Sequence, residues 1–390
     1  AQATYGFNDT RYRKRDFAAM AGRTWSGGGA LLAYEYSDNK SPYDSEIPFL
    51  ATGGDQRSRG GRDLRPTICL NPTVRAVGAQ NRPTGTTYQA PGWGTTADRC
   101  GLLKSSTIIP DGQRHAVLLN AEHEVTQGLK VWTEINYSYY DTIRDEGRQN
   151  LAVIVPNTNP YFRAPPALAN ASQVVVTRSG LGLFPGRIRT QYAEFAGVTL
   201  GGEFDFGRDW KAALMFHASR TRDFNDDPEL DLLNAQAAAN GTTLATALNP
   251  FGQAADNNPA VLARINNGFT QANKASQRMR DLQFKANGPL FSIPGGEIRT
   301  AVGIDIRNEQ TKQQQWAGSL NQNSSFFKLL RNDNLNRTVV AGFTEFNVPL
   351  VSDQNALPLV KRLTLSLSGR YDYYEIYGGQ LNPKYGVVWA

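Results

Sequence analysis

The sequence predicts an all-β fold, an antiparallel transmembrane β-barrel of about twelve strands with short periplasmic turns and long extracellular loops. Three observations support this prediction. Apolar and polar residues alternate along many segments, the connections between these segments alternate in length, and no segment has the roughly 18 consecutive apolar residues of a membrane-spanning helix. With 37 Gly and 19% charged residues, the chain is also expected to be folded and rich in turns.

The alternation is clearest in two segments, where one face is apolar and the other charged or polar. Residues 129–141 alternate aliphatic and aromatic residues with Lys, Glu, Asn and Ser, and residues 297–307 alternate Ile and Val with Arg and Asp. A period of two is typical of a strand. Further strands are predicted near residues 1–6, 16–25, 30–38, 114–125, 191–205, 210–224, 280–288, 338–350, 362–375 and 380–389. Weaker helix signals occur at 227–239 and 258–268.

Short and long connections take turns along the chain. Short turns are predicted at 26–29, 126–128 and 207–209, with longer ones at 288–296 and 351–362. Long polar stretches lie between these hairpins, at about 40–113, 142–190, 225–279 and 310–337. In an outer-membrane barrel one end carries brief turns and the other carries long loops. The long connections therefore favour a barrel over a compact soluble domain.

The segment LTLSLSGRYDYYEIYGG, residues 363–379, predicts how such a strand is oriented. Its three leucines share a face with Tyr371 and Tyr373, and aromatic rings suit the membrane interface. Trp210 and Trp389 are also expected in an interface girdle, whereas Trp132 falls on the opposite face. The alternative is a soluble all-β binding protein, in which a second layer would bury Leu363, Leu365 and Leu367.

Charge argues against a nucleic-acid partner. The net charge is +6, but Arg is scattered and no basic run exceeds RYRKR at 11–15. A basic patch or stripe would be expected for nucleic-acid binding. The charged residues are better explained by solvated loops and a polar lumen.

Cys69 and Cys100 are expected to form a disulfide, with two unpaired buried thiols as the alternative. Two thiols without neighbouring His make a poor zinc site, because zinc usually takes four ligands. The stretch GLGLFPG lacks the spacing of a dinucleotide fingerprint, and no phosphate-binding loop motif occurs. The acidic run at 225–231 suits a solvated turn better than a calcium site. No cofactor or metal is predicted.

The three histidines do not predict an enzyme. His115 and His123 fall on the outward face of one strand, and His217 faces the lumen. Spacing assigns no Ser or acidic partner to His123, the residue that a barrel lipase would need. Ligand recognition is assigned instead to loop aromatics beside hydrogen-bond donors. These candidates are Tyr161, Phe162, Arg163, Gln313, Gln315, Trp316 and Asn321.

Several segments resemble the TonB-dependent outer-membrane receptors of Gram-negative bacteria. Residues 25–43, 288–309 and 367–390 look like recurrent barrel segments of that family, and 155–162 and 245–252 are similar to its loop elements. The resemblance implies a barrel of about 22 strands preceded by a plug. It also implies uptake of a scarce nutrient, such as an iron-siderophore complex, cobalamin or an oligosaccharide, energised through TonB.

Residues 1–390 are accordingly expected to be a partial receptor barrel domain, with the plug, the TonB-contacting segment and about ten strands lying outside it. Such a sheet should have two open edges. The alternative functions are a passive outer-membrane channel and a barrel enzyme, each without a plug.

Overall fold

A computed structural model describes residues 1–51, 54–96, 98–101, 106–319 and 327–390. Its strands, in chain order, are β1 Gln2–Phe7, β2 Arg13–Trp25, β3 Gly28–Lys40, β4 Thr73–Val77, β5 Pro83–Gln89, β6 Asp111–Thr126, β7 Leu129–Gly147, β8 Asn150–Pro156, β9 Gln173–Ser179, β10 Arg187–Asp205, β11 Lys211–Pro228, β12 Phe269–Ile293, β13 Gly296–Ser319, β14 Phe327–Val351, β15 Leu363–Tyr374 and β16 Gly378–Trp389. The α-helices are α1 Pro48–Ala51, α2 Leu232–Ala239 and α3 Pro259–Ile265, with short 3-10 turns at Asp44–Glu46, Arg57–Arg59, Ala79–Asn81, Pro166–Leu168 and Ala254–Asp256.

The fold is all-β, as predicted, and is dominated by one antiparallel sheet. This large sheet has twelve strands in the order β1-β2-β3-β6-β7-β10-β11-β12-β13-β14-β15-β16. Each strand pairs with its sequence neighbour in the sheet, so the twelve predicted strands are all confirmed. None of the helices in the described residues is long and apolar enough to cross a membrane.

The first and last strands form the two edges of the large sheet. In the described part of the chain, β1 pairs only with β2 and β16 only with β15. The sheet is therefore open, as expected. Both edges carry backbone groups that have no partner strand.

Short turns lie at one end of the large sheet and the long connections lie at the other. The turn-end hairpins join β2 to β3, β6 to β7, β10 to β11, β12 to β13 and β14 to β15. At the opposite end, which we call the loop end, lie the long connections 41–110, 148–186 and 229–268. The predicted alternation in length is thus mostly confirmed. Among the described residues, two short connections at the loop end are exceptions, residues 8–12 between β1 and β2 and residues 375–377 between β15 and β16.

One predicted loop, 310–337, is wrong over most of its length. Strand β13 continues to Ser319 and β14 begins at Phe327. Amide side chains pair across this hairpin, with Gln310 Nε2 donating to Asn334 Oδ1 at 3.4 Å and Gln314 Nε2 donating to Asn332 Oδ1 at 3.2 Å. Because both faces are polar here, the alternation that identifies a strand has no apolar contrast.

A second sheet lies inside the predicted polar loops and was not expected. Its four strands have the order β5-β4-β9-β8 and come from the connections 41–110 and 148–186. Helices α2 and α3, which confirm the two helix signals, belong to the connection 229–268. We call these three connections together the loop domain.

The loop domain contains the hydrophobic core. Its fully buried residues come from all three connections, including Val74, Val153, Val174, Leu248 and Ile265. Strand β9 is buried on both faces, whereas β8 buries Leu151, Val153 and Val155 on one face and leaves Ala152 exposed on the other. Within the described residues, the members of this core come from the connections and not from the large sheet.

Trp132 covers a glycine on the polar face of the large sheet. Gly201 is the register partner of Trp132, and a Cβ built on Gly201 would overlap the indole. We expect Gly201→Ala to lower the free energy of unfolding by about 1–3 kcal/mol, because the ring must move. Denaturant unfolding would measure this effect. The control Gly369→Ala should cost less, since a Cβ there meets no atom within 4 Å, and equal losses would contradict the packing argument.

Candidate functional site

One face of the large sheet is apolar and exposed. Phe284 lies between its register partners Leu214 and Ile304, and these side chains are 42%, 52% and 52% exposed. Leu363 and Leu365 are half-buried and Leu367 is 39% exposed. The burial that a soluble binding protein requires is therefore not found at these leucines.

Aromatic residues lie at both ends of this apolar face. At the turn end are Trp25, Phe204, Trp210 and Trp389. The ring of Phe206 stacks between those of Phe204 and Trp210, and its centroid lies 6.0 Å from each of their centroids. Toward the loop end of β15 lie Tyr371 and Tyr373, about half exposed. All four residues assigned to the girdle thus lie at or near strand ends, where Trp210 is half-buried and the other three are exposed.

The height of the apolar face matches a membrane. From Leu363 to Tyr373, β15 advances by ten residues, 373 minus 363, or about 33 Å at 3.3 Å per residue. Tilted by about 40°, such a segment spans about 25 Å, the height of the apolar band on an outer-membrane barrel.

The opposite face of the large sheet is polar, and Arg370 pairs with two of its buried carboxylates. Arg370 Nε donates to Asp372 Oδ1 at 2.9 Å, and Arg370 Nη2 lies 3.4 Å from Asp305 Oδ2. Both carboxylates are only 9% exposed. Thr199 Oγ1 lies 2.9 Å from His217 Nδ1, which places His217 on this face as predicted. Such pairing lets charges line an interior.

A cluster of alternating charges joins β7, β10 and β11 at the loop end. Arg189 lies 3.2 Å from Asp227 and 3.5 Å from Glu146, while Arg187 lies 3.5 Å from Asp227 and 3.7 Å from Glu229. These residues stand where the polar face meets the loop domain. Sequence reasoning missed the cluster, although the RIR at 187–189 and the acids at 226–229 were visible signals.

The candidate residues Tyr161, Phe162 and Arg163 lie together in the loop domain. Phe162 packs against the hydrophobic core, so it anchors the loop. Arg163 is exposed, and its guanidinium carbon lies 5.7 Å from the centroid of the Phe251 ring. Asn159 fixes the turn, accepting from the Tyr161 N–H at 2.8 Å and donating to Ala239 O at 2.8 Å. Arg163 is therefore the member of this group that is free to meet a ligand.

The remaining candidates, Gln313, Gln315, Trp316 and Asn321, form a second group. Its described members are split between the two faces of β13. Gln313 and Gln315 share the polar face, where Gln313 Nε2 donates to Asn273 Oδ1 at 3.3 Å. Trp316 lies on the opposite face, with its ring centroid 6.4 Å from that of Phe224. Asn321 lies outside the described residues.

Two links hold the loop domain together. Cys69 and Cys100 are joined by a disulfide with their Cα atoms 5.7 Å apart. The Ser179 N–H donates to Cys69 O at 2.8 Å, connecting this bridge to β9. Arg178, 1% exposed, donates from Nε to Ser179 O and from Nη1 to Pro250 O at 3.0 and 3.1 Å. Burial lowers the pKa of Arg178.

Ion pairs order the exposed rim of the loop domain. A hydrogen bond from Arg57 lowers the pKa of Asp55, and one from Arg65 lowers the pKa of Asp63. Because these folded pKa values lie below the ordinary carboxyl value, the pairs stabilise the rim at neutral pH. Their contribution is lost as the pH falls through the lowered values.

The remaining histidines contact aromatic rings on the outward face. His123 Nδ1 accepts from Trp25 Nε1 at 3.1 Å, and His115 Nδ1 lies 2.9 Å from the Tyr34 hydroxyl. Their predicted face is therefore observed. Among the described residues, no group of three or more His, Cys, Asp or Glu side chains is placed to hold a metal ion.

No family model matches the sequence. No curated protein matches it either. Among solved structures, a similar chain is the closed form of the ferric-catecholate import receptor Fiu from E. coli K12, with a TM-score of 0.35 and 10% sequence identity. The match covers 96% of this chain and 51% of the Fiu chain, so this chain spans about half the length of that structure.

Proposed function

We propose that this chain is the barrel part of an outer-membrane receptor that takes up a scarce nutrient in a Gram-negative bacterium. The observation that carries the proposal is the exposed apolar face of the large sheet, about as tall as a membrane and flanked by aromatic residues. A soluble protein rarely leaves so large an apolar surface uncovered.

The loop domain supports a role in recognition. Long connections on one end of a barrel face the cell exterior, where a ligand arrives. Here they fold into one body with its own core, and the exposed Arg163 lies beside the Phe251 ring. A cation beside an aromatic ring suits a ligand with both anionic and flat groups, such as a ferric siderophore. Cobalamin and oligosaccharides are the other nutrients to be tested.

Energised uptake requires a segment that contacts TonB, a plug and a closed sheet. TonB would act through a segment N-terminal to residue 1, and a plug would fill the lumen formed by the polar face. Both open edges of the sheet must also be paired in the membrane, because lipid cannot hydrogen-bond to a free strand edge.

Ligand titration of the full-length protein tests the proposal. We expect one of a ferric siderophore, cobalamin and an oligosaccharide to bind saturably. Replacing Arg163 with Gln should weaken that binding about tenfold, because a charge-assisted hydrogen bond is lost. The control Arg82→Gln changes another exposed Arg of the same domain and should leave the affinity unchanged.

Two results would replace this function by an alternative. Steady conductance across planar bilayers without saturable binding would indicate a passive channel. Recovery of the protein in the soluble fraction after cell lysis would exclude membrane uptake altogether. The barrel enzyme has no supporting arrangement at His123, whose ring partner is Trp25.

A further inference from the structure

Five cations interrupt the outward face of β11, β12 and β13 on the loop-end side of the apolar residues. They are Arg220, Lys274, Arg278, Arg280 and Lys312, and we call them the basic patch. On the polar face such residues would be expected, but these share the face of Phe216, Leu282 and Ile306. Their location therefore needs its own explanation.

The pairing register places the basic patch directly above the apolar residues. Phe216, Leu282 and Ile306 are register partners on the three strands and are 39%, 42% and 42% exposed. Arg280 follows two residues above Leu282, and Arg278 and Arg220 are partners in the next outward-facing row. From Arg280 to Lys274 the patch extends about 20 Å along the strand.

The side chains of the basic patch are not neutralised by ion pairs in the described part of the chain. Among the described residues, none of the five forms an ion pair or a side-chain hydrogen bond. The neighbouring Arg222, by contrast, pairs with Glu194 at 3.2 Å. Arg220 and Arg278 face each other as like charges, which is unfavourable unless an anion lies between them.

Amide side chains surround the cations and add hydrogen-bond donors. Gln310, Gln314 and Asn332 line the same shallow groove as Arg220, Arg278 and Lys312. Asp333 also lines this groove, and its carboxylate is paired with Arg331. Together the amides and the cations offer several donors to a group with many acceptor oxygens. A phosphate group matches this chemistry, since guanidinium and ammonium groups bind it through charge-assisted hydrogen bonds.

We propose that the basic patch binds the phosphorylated headgroup of a glycolipid in the outer leaflet, of the lipid A type. The inference rests on the proposed membrane location. Acyl chains would lie against Phe216, Leu282 and Ile306, and the phosphates of the same molecule would reach the patch above them. This continuity of apolar and cationic surface favours a lipid over free phosphate in solution.

Binding of lipid A to the detergent-solubilised full-length protein tests the proposal. The probes are bisphosphorylated lipid A, lipid A without phosphates, and sodium pyrophosphate. We expect Arg220→Gln/Arg278→Gln/Lys312→Gln to weaken bisphosphorylated lipid A binding on the order of 100-fold, since each cation near an anionic headgroup contributes. The control Lys211→Gln/Lys285→Gln/Lys384→Gln removes three charges from the polar face and should bind like the wild type.

Three outcomes of this binding experiment would overturn the proposal. Equal affinity of the patch variant and the wild type would show that the cations do not bind the headgroup. Equal binding of dephosphorylated lipid A would assign the contact to acyl chains alone, and equally tight pyrophosphate binding would indicate a site for free phosphate. Fractionation of wild-type cells separates these results from the proposed function, because a protein found in the outer membrane that does not bind lipid A at the patch leaves the proposed function standing.

Discussion

Replacing Leu248 with Ala is expected to destabilise the loop domain by about 2–5 kcal/mol while the large sheet stays folded. Leu248 is 0% exposed and belongs to the core that joins all three long connections. Its backbone also contributes, donating to Ala238 O at 2.9 Å and accepting from Asn159 Nδ2 at 3.2 Å. Truncating the side chain leaves a cavity that this small core cannot easily close.

Hydrogen exchange measured by mass spectrometry would localise the effect of Leu248→Ala. Protection should fall in β8 and β9 and persist in β12 and β13, because the large sheet does not share this core. Leu244→Ala is the matched control, since Leu244 lies in the same connection but is 63% exposed. Uniform loss of protection in both sheets would contradict the separation of the loop domain from the large sheet.

Replacing Ile304 with Arg is expected to impair membrane insertion, at a cost of about 2–4 kcal/mol for a cation at mid-depth. Ile304 lies on the apolar face beside Phe284 and is 52% exposed. In water, an exposed Ile replaced by Arg would change stability little. The substitution therefore distinguishes a membrane protein, in which it should impair folding strongly, from a soluble protein, in which it should have little effect.

Folding into phospholipid vesicles, followed by heat-dependent gel mobility, would measure the effect of Ile304→Arg. The control Gln283→Arg places the same charge on the polar face of the adjacent strand, opposite Asp305. We expect the control to insert normally. Equal insertion of both variants would remove the main support for the membrane assignment.

The large sheet could be predicted because successive residues of its strands alternate between an apolar face and a polar face. Residues 129–141 show an apolar and a polar face in plain alternation, which becomes β7. The strands of the loop domain could not be found in the same way, because β9 is buried on both faces and β8 carries five consecutive apolar residues, 151–155, which hide its alternation. The loop end of the hairpin of β13 and β14, rich in Gln and Asn, was not predicted as strand for the opposite reason, because both of its faces are polar.

The candidate sites depend more on register than on local pattern. Gln315 and Trp316 are adjacent in sequence, and the strand geometry separates them onto opposite faces. The basic patch shows the converse: Arg220 and Arg278 lie far apart in sequence and become neighbours only through the pairing of β11 with β12. Sequence periodicity gives the face of a residue within one strand, but not its neighbours across strands.

The composite origin of the loop domain has an immunological consequence. Because its surface is assembled from three connections that are distant in sequence, an antibody raised against the folded protein would recognise a discontinuous epitope. Such an antibody should bind intact cells if these connections face outward, and should lose binding on denatured protein. Synthetic peptides copied from a single connection should bind this antibody weakly, since the three connections acquire their shared conformation only when they pack around core residues such as Val153 and Ile265.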